Sequence, residues 1–218
     1  MTLDFKTREQ AAYEALRRAI IQGRWGQGEP LVVSRVATEL GVSRITVANA
    51  LKRLSGEGFV QLTPHKEATV ARLEPSDVRE IYLMRAELEA LAAREAAARA
   101  LPRDLDDLRT LNAELGHLLS QSEPDVRAVR AADLAFHRRM RQIPAMPLLA
   151  KTLENLADQC EGYRARLLDL RQIAMPSVER HVPIIAALAA HDGVLAAERM
   201  REHVLEGMEA VLAVLTRP

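Results

Sequence analysis

The chain has 218 residues, room for one large or two modest domains, with 48% hydrophobic and 28% charged residues balanced to a formal net charge of zero. Its single cysteine, Cys160, excludes a disulfide framework or a cysteine-rich zinc site within one chain. The start MTLDFKTREQ carries no apolar signal region, and no run approaches the roughly 18 uncharged apolar residues of a membrane span. A cytoplasmic location is therefore expected.

Residues 8–22 place Ala12, Leu16 and Ile20, with Ala11 and Ala19 nearby, along one face of a first helix that ends at Gly23. A loop with the breakers Gly26, Gly28 and Pro30 follows. Residues 34–40 read as a second helix with Ser34 as its N-cap, and Gly41-Val42 as a tight turn. Ser43 caps a third helix to about Ser55, with Val47, Leu51 and Leu54 facing inward. FVQLT (59–63) and ATVARL (68–73) read as two short strands joined by the turn PHKE. From Glu74 onward the pattern is helical throughout. Six helices are expected near 75–100, 103–121, 124–142, 146–171, 175–190 and 193–216, broken at Pro102, Pro124, Pro144/Pro147, Pro176 and the His191-Asp192-Gly193 turn. The fold class is mainly α: an N-terminal winged helix-turn-helix over residues 1–72 and a C-terminal all-α helical bundle over 73–218.

The zero net charge hides an asymmetry. Residues 1–72 carry 11 Lys and Arg against 7 Asp and Glu, and residues 73–218 carry 19 against 23. A basic module joined to an acidic one suggests that only the first meets a polyanion. Short helices about a glycine turn, then a hairpin with a basic tip, describe a DNA reader whose third helix enters the major groove. Arg44 at its start can hold a guanine bidentately. Ser43 and Thr46 can reach phosphates or bases. Asn49 and Lys52 lie one to two turns on, and Arg35 belongs to the preceding helix. His65 and Lys66 occupy the wing tip, placed for the minor groove or the backbone.

The six histidines hold a second pattern. Asp133 and His137 stand four apart and share a helical face. His181 and His203 lie on consecutive helices whose turn, at 191–193, is midway between them. In an antiparallel hairpin both sit at one height. Singly, each histidine reads as a surface or satisfied core residue; the two pairs together favour a metal or anion site. The donor set suits a divalent transition metal, zinc first, with nickel, manganese or iron also compatible. Arg85 falls on the apolar stripe Val78, Ile81, Leu88, Ala92, and a buried guanidinium needs a partner. Glu89, four residues on, is one; a bidentate effector carboxylate is the other.

Gly28-Glu29-Pro30-Leu31, LGVSR (40–44) and ALKRLSGEGFV (50–60) resemble the GntR family of bacterial regulators across residues 1–72. Thr46 and Ala48 stand where that family usually has Pro and Arg, and Lys66-Glu67 where it often has Arg-Gly. Val32 and Val33 replace polar capping residues. The operator is therefore expected to be atypical, with Glu67 turned away from the phosphates. D-x-x-x-H at 133–137, HVPIIAAL at 181–188, Asp192 and the spacing to His203 resemble the FCD ligand-binding domain of the FadR subfamily, in its six-helix, VanR-like branch. That resemblance implies a metal on Asp133, His137, His181 and His203, a small carboxylate effector completing its coordination, and an arginine near the ligand at Arg85. Met146 stands where the family frequently has Asn.

Three functions compete. The leading one is a dimeric transcriptional regulator, repressor or activator, whose affinity for double-stranded operator DNA is set by an organic-acid effector; two recognition helices would read half-sites about one DNA turn apart. A metal-dependent hydrolase with an accessory DNA-binding module is the alternative, but no nucleophile elbow, P-loop or HExxH is present. The third is a pure interaction protein.

Overall fold

The computed structural model describes residues 7–64, 66–164 and 170–215. Two compact units emerge. One runs to Glu74 and also takes in a stretch beginning at Asp158; the other begins at Pro75.

The first unit contains α1 (Arg8–Ile21), β1 (Pro30–Leu31), α2 (Val33–Leu40), α3 (Arg44–Gly56), β2 (Val60–Gln61) and β3 (Ala68–Val70). Thr7 starts α1: its hydroxyl oxygen accepts from the Gln10 amide at 3.1 Å. Gly41, in the left-handed region at φ 64°, closes α2, a conformation a β-carbon would penalise. Ser43 caps α3 as expected, its Oγ accepting from the Thr46 amide at 3.1 Å. The three strands are antiparallel in the order β1-β3-β2, with Leu31 opposite Ala68 and Val60 opposite Val70. Leu16 and Ile20 of α1, Val47, Leu51 and Leu54 of α3, and Leu31 and Val70 of the sheet share one core.

Three local expectations change here. The segment around Pro30, read as loop, supplies a third strand. That pairing holds Val32 extended, so α2 begins at Val33, with Val32 as an N-cap that offers no side-chain bond. Ser34 is therefore inside the first turn and does not cap. On α1, Ala11 is exposed and Tyr13 takes its place inside, its hydroxyl donating to Glu57 Oε2 at 2.6 Å.

The second unit is built from α4 (Pro75–Ala97), α5 (Pro102–Ser120), α6 (Val126–Gln142), α7 (Pro147–Arg164), α8 (Leu170–Ala189) and α9 (Gly193–Leu215), α7 being divided between the units. Proline opens α4, α5 and α7, where its missing N–H costs nothing. Asp125 caps α6, accepting from the Arg127 and Ala128 amides. The antiparallel turn between α8 and α9 is held by Asp192, whose Oδ1 accepts from the Leu195 amide at 2.9 Å. His191 adopts a positive φ of 53° there, and its Nδ1 donates to the Ala97 carbonyl at 2.7 Å. The most extensive packing is α4 along α9; α8 also lies on α9, and α5 lies against both α6 and α8.

Pro176 does not break the chain. It sits inside α8, as does Pro183, so the helix expected to start at 175 already includes Leu170. A proline within a helix forfeits one hydrogen bond, and the sequence reading took it as a start signal. Burial of Ile184, Ala187 and Leu188 along the same helix outweighs that loss. No described helix is long and apolar enough to cross a membrane.

Candidate metal centre and nucleic-acid interface

The nucleic-acid candidates are surface groups on rigid supports. Arg44 is the first residue of α3 and is exposed, as are Lys52, one face further along, and Lys66 on the wing. Ser43 Oγ lies 2.8 Å from Thr46 Oγ1, so the two hydroxyls engage each other at the helix start. Asn49 donates to Glu9 Oε2 at 3.3 Å, and Arg35 pairs with Glu39 at 3.2 Å; both are exposed and exchangeable for a nucleic-acid partner. His65 lies outside the described residues. Ser34, Arg44, Ala48 and Lys52 line one groove with Lys66 and Glu67 of the wing. Glu67 borders the same groove as Ala48 of α3 and Lys66. Ile45, not singled out from sequence, is 74% exposed between Arg44 and Thr46. An apolar side chain there suits a thymine methyl group.

The metal candidates are the opposite, deeply buried and convergent. Asp133 and His137 come from α6, His181 from α8 and His203 from α9, and all four are buried. The three imidazoles offer ligand atoms that all lie within 4.8 Å of one another. His137 Nε2 and His203 Nε2 are 3.1 Å apart. Two nitrogens each about 2.0–2.1 Å from one ion lie roughly 2.8–3.4 Å apart at angles near 90–110°, so the spacing fits joint ligation. His137 Nδ1 and His181 Nε2 are buried with no hydrogen-bond partner among the described residues. Asp133 is buried on the same face of α6, and its charge acts on both His137 and His181.

Burial pushes His137 well below the usual imidazole range, opposed by Asp133 and reinforced by His203, Arg141 and Arg85. His181 is pushed down the same way, by burial and then by His203 and His137. Neutral imidazoles are the form that ligates a metal. The three imidazoles therefore fit a divalent ion in chemistry and spacing, and His137 and His181 in protonation; the Asp133 carboxylate lies beside this group and is not one of its three convergent ligands.

Sequence reasoning missed the surroundings of this cluster. Phe136 stacks on His181 with ring centroids 3.6 Å apart and planes within 9°. Asn112 of α5 places its Oδ1 2.8 Å from His181 Nδ1. Neither forms a repeat or charge pattern that a linear reading detects, although Phe136 directly precedes a proposed ligand.

Arg85 is buried as its stripe implied. Its Nη2 is 3.7 Å from Glu89 Oε1 and its guanidinium lies 4.9 Å from the Tyr82 ring centre. Glu89, however, is held chiefly by Arg141 of α6, whose Nε donates to both carboxylate oxygens at 3.1 and 3.2 Å and whose Nη2 donates to Oε1. Arg85 Nε is buried with no hydrogen-bond partner among the described residues. Two buried guanidinium groups thus share one carboxylate.

Residues 8–70 match the bacterial regulatory proteins of the gntR family, and residues 80–206 match the FCD domain. A winged helix-turn-helix joined to this helical domain defines a DNA-binding transcriptional regulator. The chain belongs to the GntR family and carries an FCD domain. It is 26% identical over 204 residues to the HTH-type transcriptional repressor RspR of Escherichia coli, covering 93% of this chain and 88% of that one. It is 27% identical over 188 residues to the probable D-xylose utilization operon transcriptional repressor of Paenarthrobacter nicotinovorans, covering 85% and 80%. Among solved structures, E. coli McbR/YncC shares the fold at a TM-score of 0.76 and 24% identity, covering 97% of this chain and 98% of that one. A GntR regulator from Rhodococcus aligns at a TM-score of 0.76 and 20% identity, covering 94% and 98%. The chain is a regulator and not an enzyme, which removes the hydrolase alternative.

Proposed function

We propose that this chain is a cytoplasmic, homodimeric repressor whose operator affinity is set by a small carboxylate effector bound beside a divalent transition metal. Residues 1–72 form the DNA-binding domain, with Arg35, Ser43, Arg44, Thr46, Asn49, Lys52, His65 and Lys66 as its contacts. Residues 73–218 form the effector-binding and dimerisation domain, with Asp133, His137, His181 and His203 as metal ligands and Arg85 as an effector contact. The observation that carries the reading is the buried convergence of three imidazoles, two of them with Nε2 atoms 3.1 Å apart. Structural histidines are normally satisfied by hydrogen bonds, and His137 Nδ1 and His181 Nε2 are buried with no hydrogen-bond partner among the described residues.

The carboxylate follows from charge. Arg85 and Arg141 stand against Glu89 and Asp133, so a divalent ion adds positive charge to a buried cluster and favours an anionic ligand. A bound ion supplies a Lewis-acidic anchor for such an anion. Arg85 orients it through donors that Glu89 leaves unused, and the buried walls exclude water. Repression is the sign that the names of two relatives carry. An effector regulates only by binding one arrangement of the domains better than another.

A thermal-shift screen of small organic acids against zinc-loaded and metal-stripped full-length protein tests this. A hit is expected to raise the melting temperature only in the loaded protein and to weaken operator binding. Equal stabilisation of both forms by every acid that binds would overturn the coupling of effector to metal.

A further inference from the structure

The buried histidines are not held alone, and one neighbour determines which nitrogen His181 can use. The Val178 carbonyl oxygen can only accept a hydrogen bond, so the Asn112 atom 3.1 Å from it is the donor Nδ2. The other amide atom, Oδ1, then faces His181 Nδ1 at 2.8 Å and can itself only accept. Nδ1 must therefore carry the proton of the neutral ring, which leaves the lone pair on Nε2. His181 is fully buried, and that Nε2 makes no hydrogen bond among the described residues. Phe136, stacked at 3.6 Å, restricts ring rotation.

We propose that Asn112 is a positioning residue of the metal centre: it locks His181 in the Nδ1–H tautomer and so presents Nε2 to an ion shared with His137 and His203. This rests on the metal reading above and adds a residue to it that touches no ion. Partners of this kind tie the far nitrogen of a ligating histidine and commonly set metal affinity within a factor of ten to a hundred. The same amide also ties α5 to α8, so a purely structural role must be separated from positioning.

Two variants of the full chain separate them. Asn112→Leu keeps the size and removes the acceptor; Asn112 borders the open groove beside Ala113, Gly116 and Val182, which gives the new side chain room. Asn112→Asp restores an acceptor at the same place. The readouts are Zn2+ affinity by competition with a chelator, the visible spectrum of the Co2+-loaded protein, and the imidazole tautomer by nitrogen-15 resonance in the metal-stripped protein. The expected result is a loss of Zn2+ affinity of about ten- to a hundred-fold in Asn112→Leu, largely restored in Asn112→Asp. The Co2+ spectrum is altered in the leucine variant alone. The stripped wild type holds His181 as the Nδ1–H tautomer. An Nε2–H tautomer there overturns the proposal, even if the leucine variant fails to fold. Wild-type Zn2+ affinity in a folded Asn112→Leu overturns the role of Asn112 while leaving the metal reading intact; a wild type that takes up no Zn2+ overturns both.

Discussion

The two units of this molecule present charge in opposite ways. On the DNA-binding unit, Arg44, Lys52 and Lys66 stand in solvent, and the pairs Arg35–Glu39 and Asn49–Glu9 are exposed. In the helical domain, Arg85, Glu89, Asp133, His137, Arg141, His181 and His203 are all buried. Exposed pairs are weak and cheaply exchanged for a phosphate. Buried groups cost several kcal/mol each to desolvate and persist only where partners or ligands compensate. Exposed charges of the first unit can exchange partners readily, whereas the buried cluster of the second is preorganised and intolerant of an unpaired charge.

That contrast can be broken by experiment. The largest effect is expected from Glu89→Ala, which strands Arg85 and Arg141 without their carboxylate. Loss of one partner from a buried ion pair costs about 3–5 kcal/mol. Urea unfolding measures it, and a loss below about 1 kcal/mol, the range of surface pairs, would erase the distinction between the two units.

Acidification comes next. In metal-stripped protein His137 and His181 have folded-state pKa values pushed below 6.5 by burial, so the unfolded chain takes up protons first as pH falls. Their contribution to stability is complete above about pH 6.5 and is lost on descending through and below it. Unfolding midpoints at pH 7.5 and 5.5 check this. Wild type is expected to weaken, and His137→Gln to weaken less; equal midpoints at the two pH values would remove the argument from burial.

On the exposed side the effects are smaller and ionic-strength dependent. Arg44→Ala is expected to cost about 1–3 kcal/mol of operator affinity and to relax preference at one base pair, read by mobility shift on operator variants. Lys66→Ala is expected to weaken all sequences alike and to lower the salt slope by about one. If Lys66→Ala changes sequence preference and Arg44→Ala does not, the roles of helix and wing are reversed.

The same contrast explains what could be read from the chain alone. Ser43, Gly41 and the buried row Val47, Leu51, Leu54 are local signals, and α3 lies where they put it. The pairing of Asp133 with His137 is local too, and the level of His181 with His203 follows from one turn. The cap at Ser34 failed because β1, a two-residue strand that exists only by pairing with β3, moved the helix start. Pro176 misled because packing, invisible locally, carries α8 through it. Asn112 and Arg141 were beyond reach for the same reason: each acts across helices, on residues 69 and 52 positions away. Spacing within a helix or hairpin is legible, and contacts between distant helices are not.

The central claim is that three buried histidines and Asp133 form a metal site, and metal content tests it most directly. Full-length protein, stripped with chelator and dialysed against Zn2+, is expected to hold about one ion per chain by elemental analysis, and His137→Ala markedly less. Wild type that remains metal-free after exposure to zinc, nickel and manganese in turn would contradict the account.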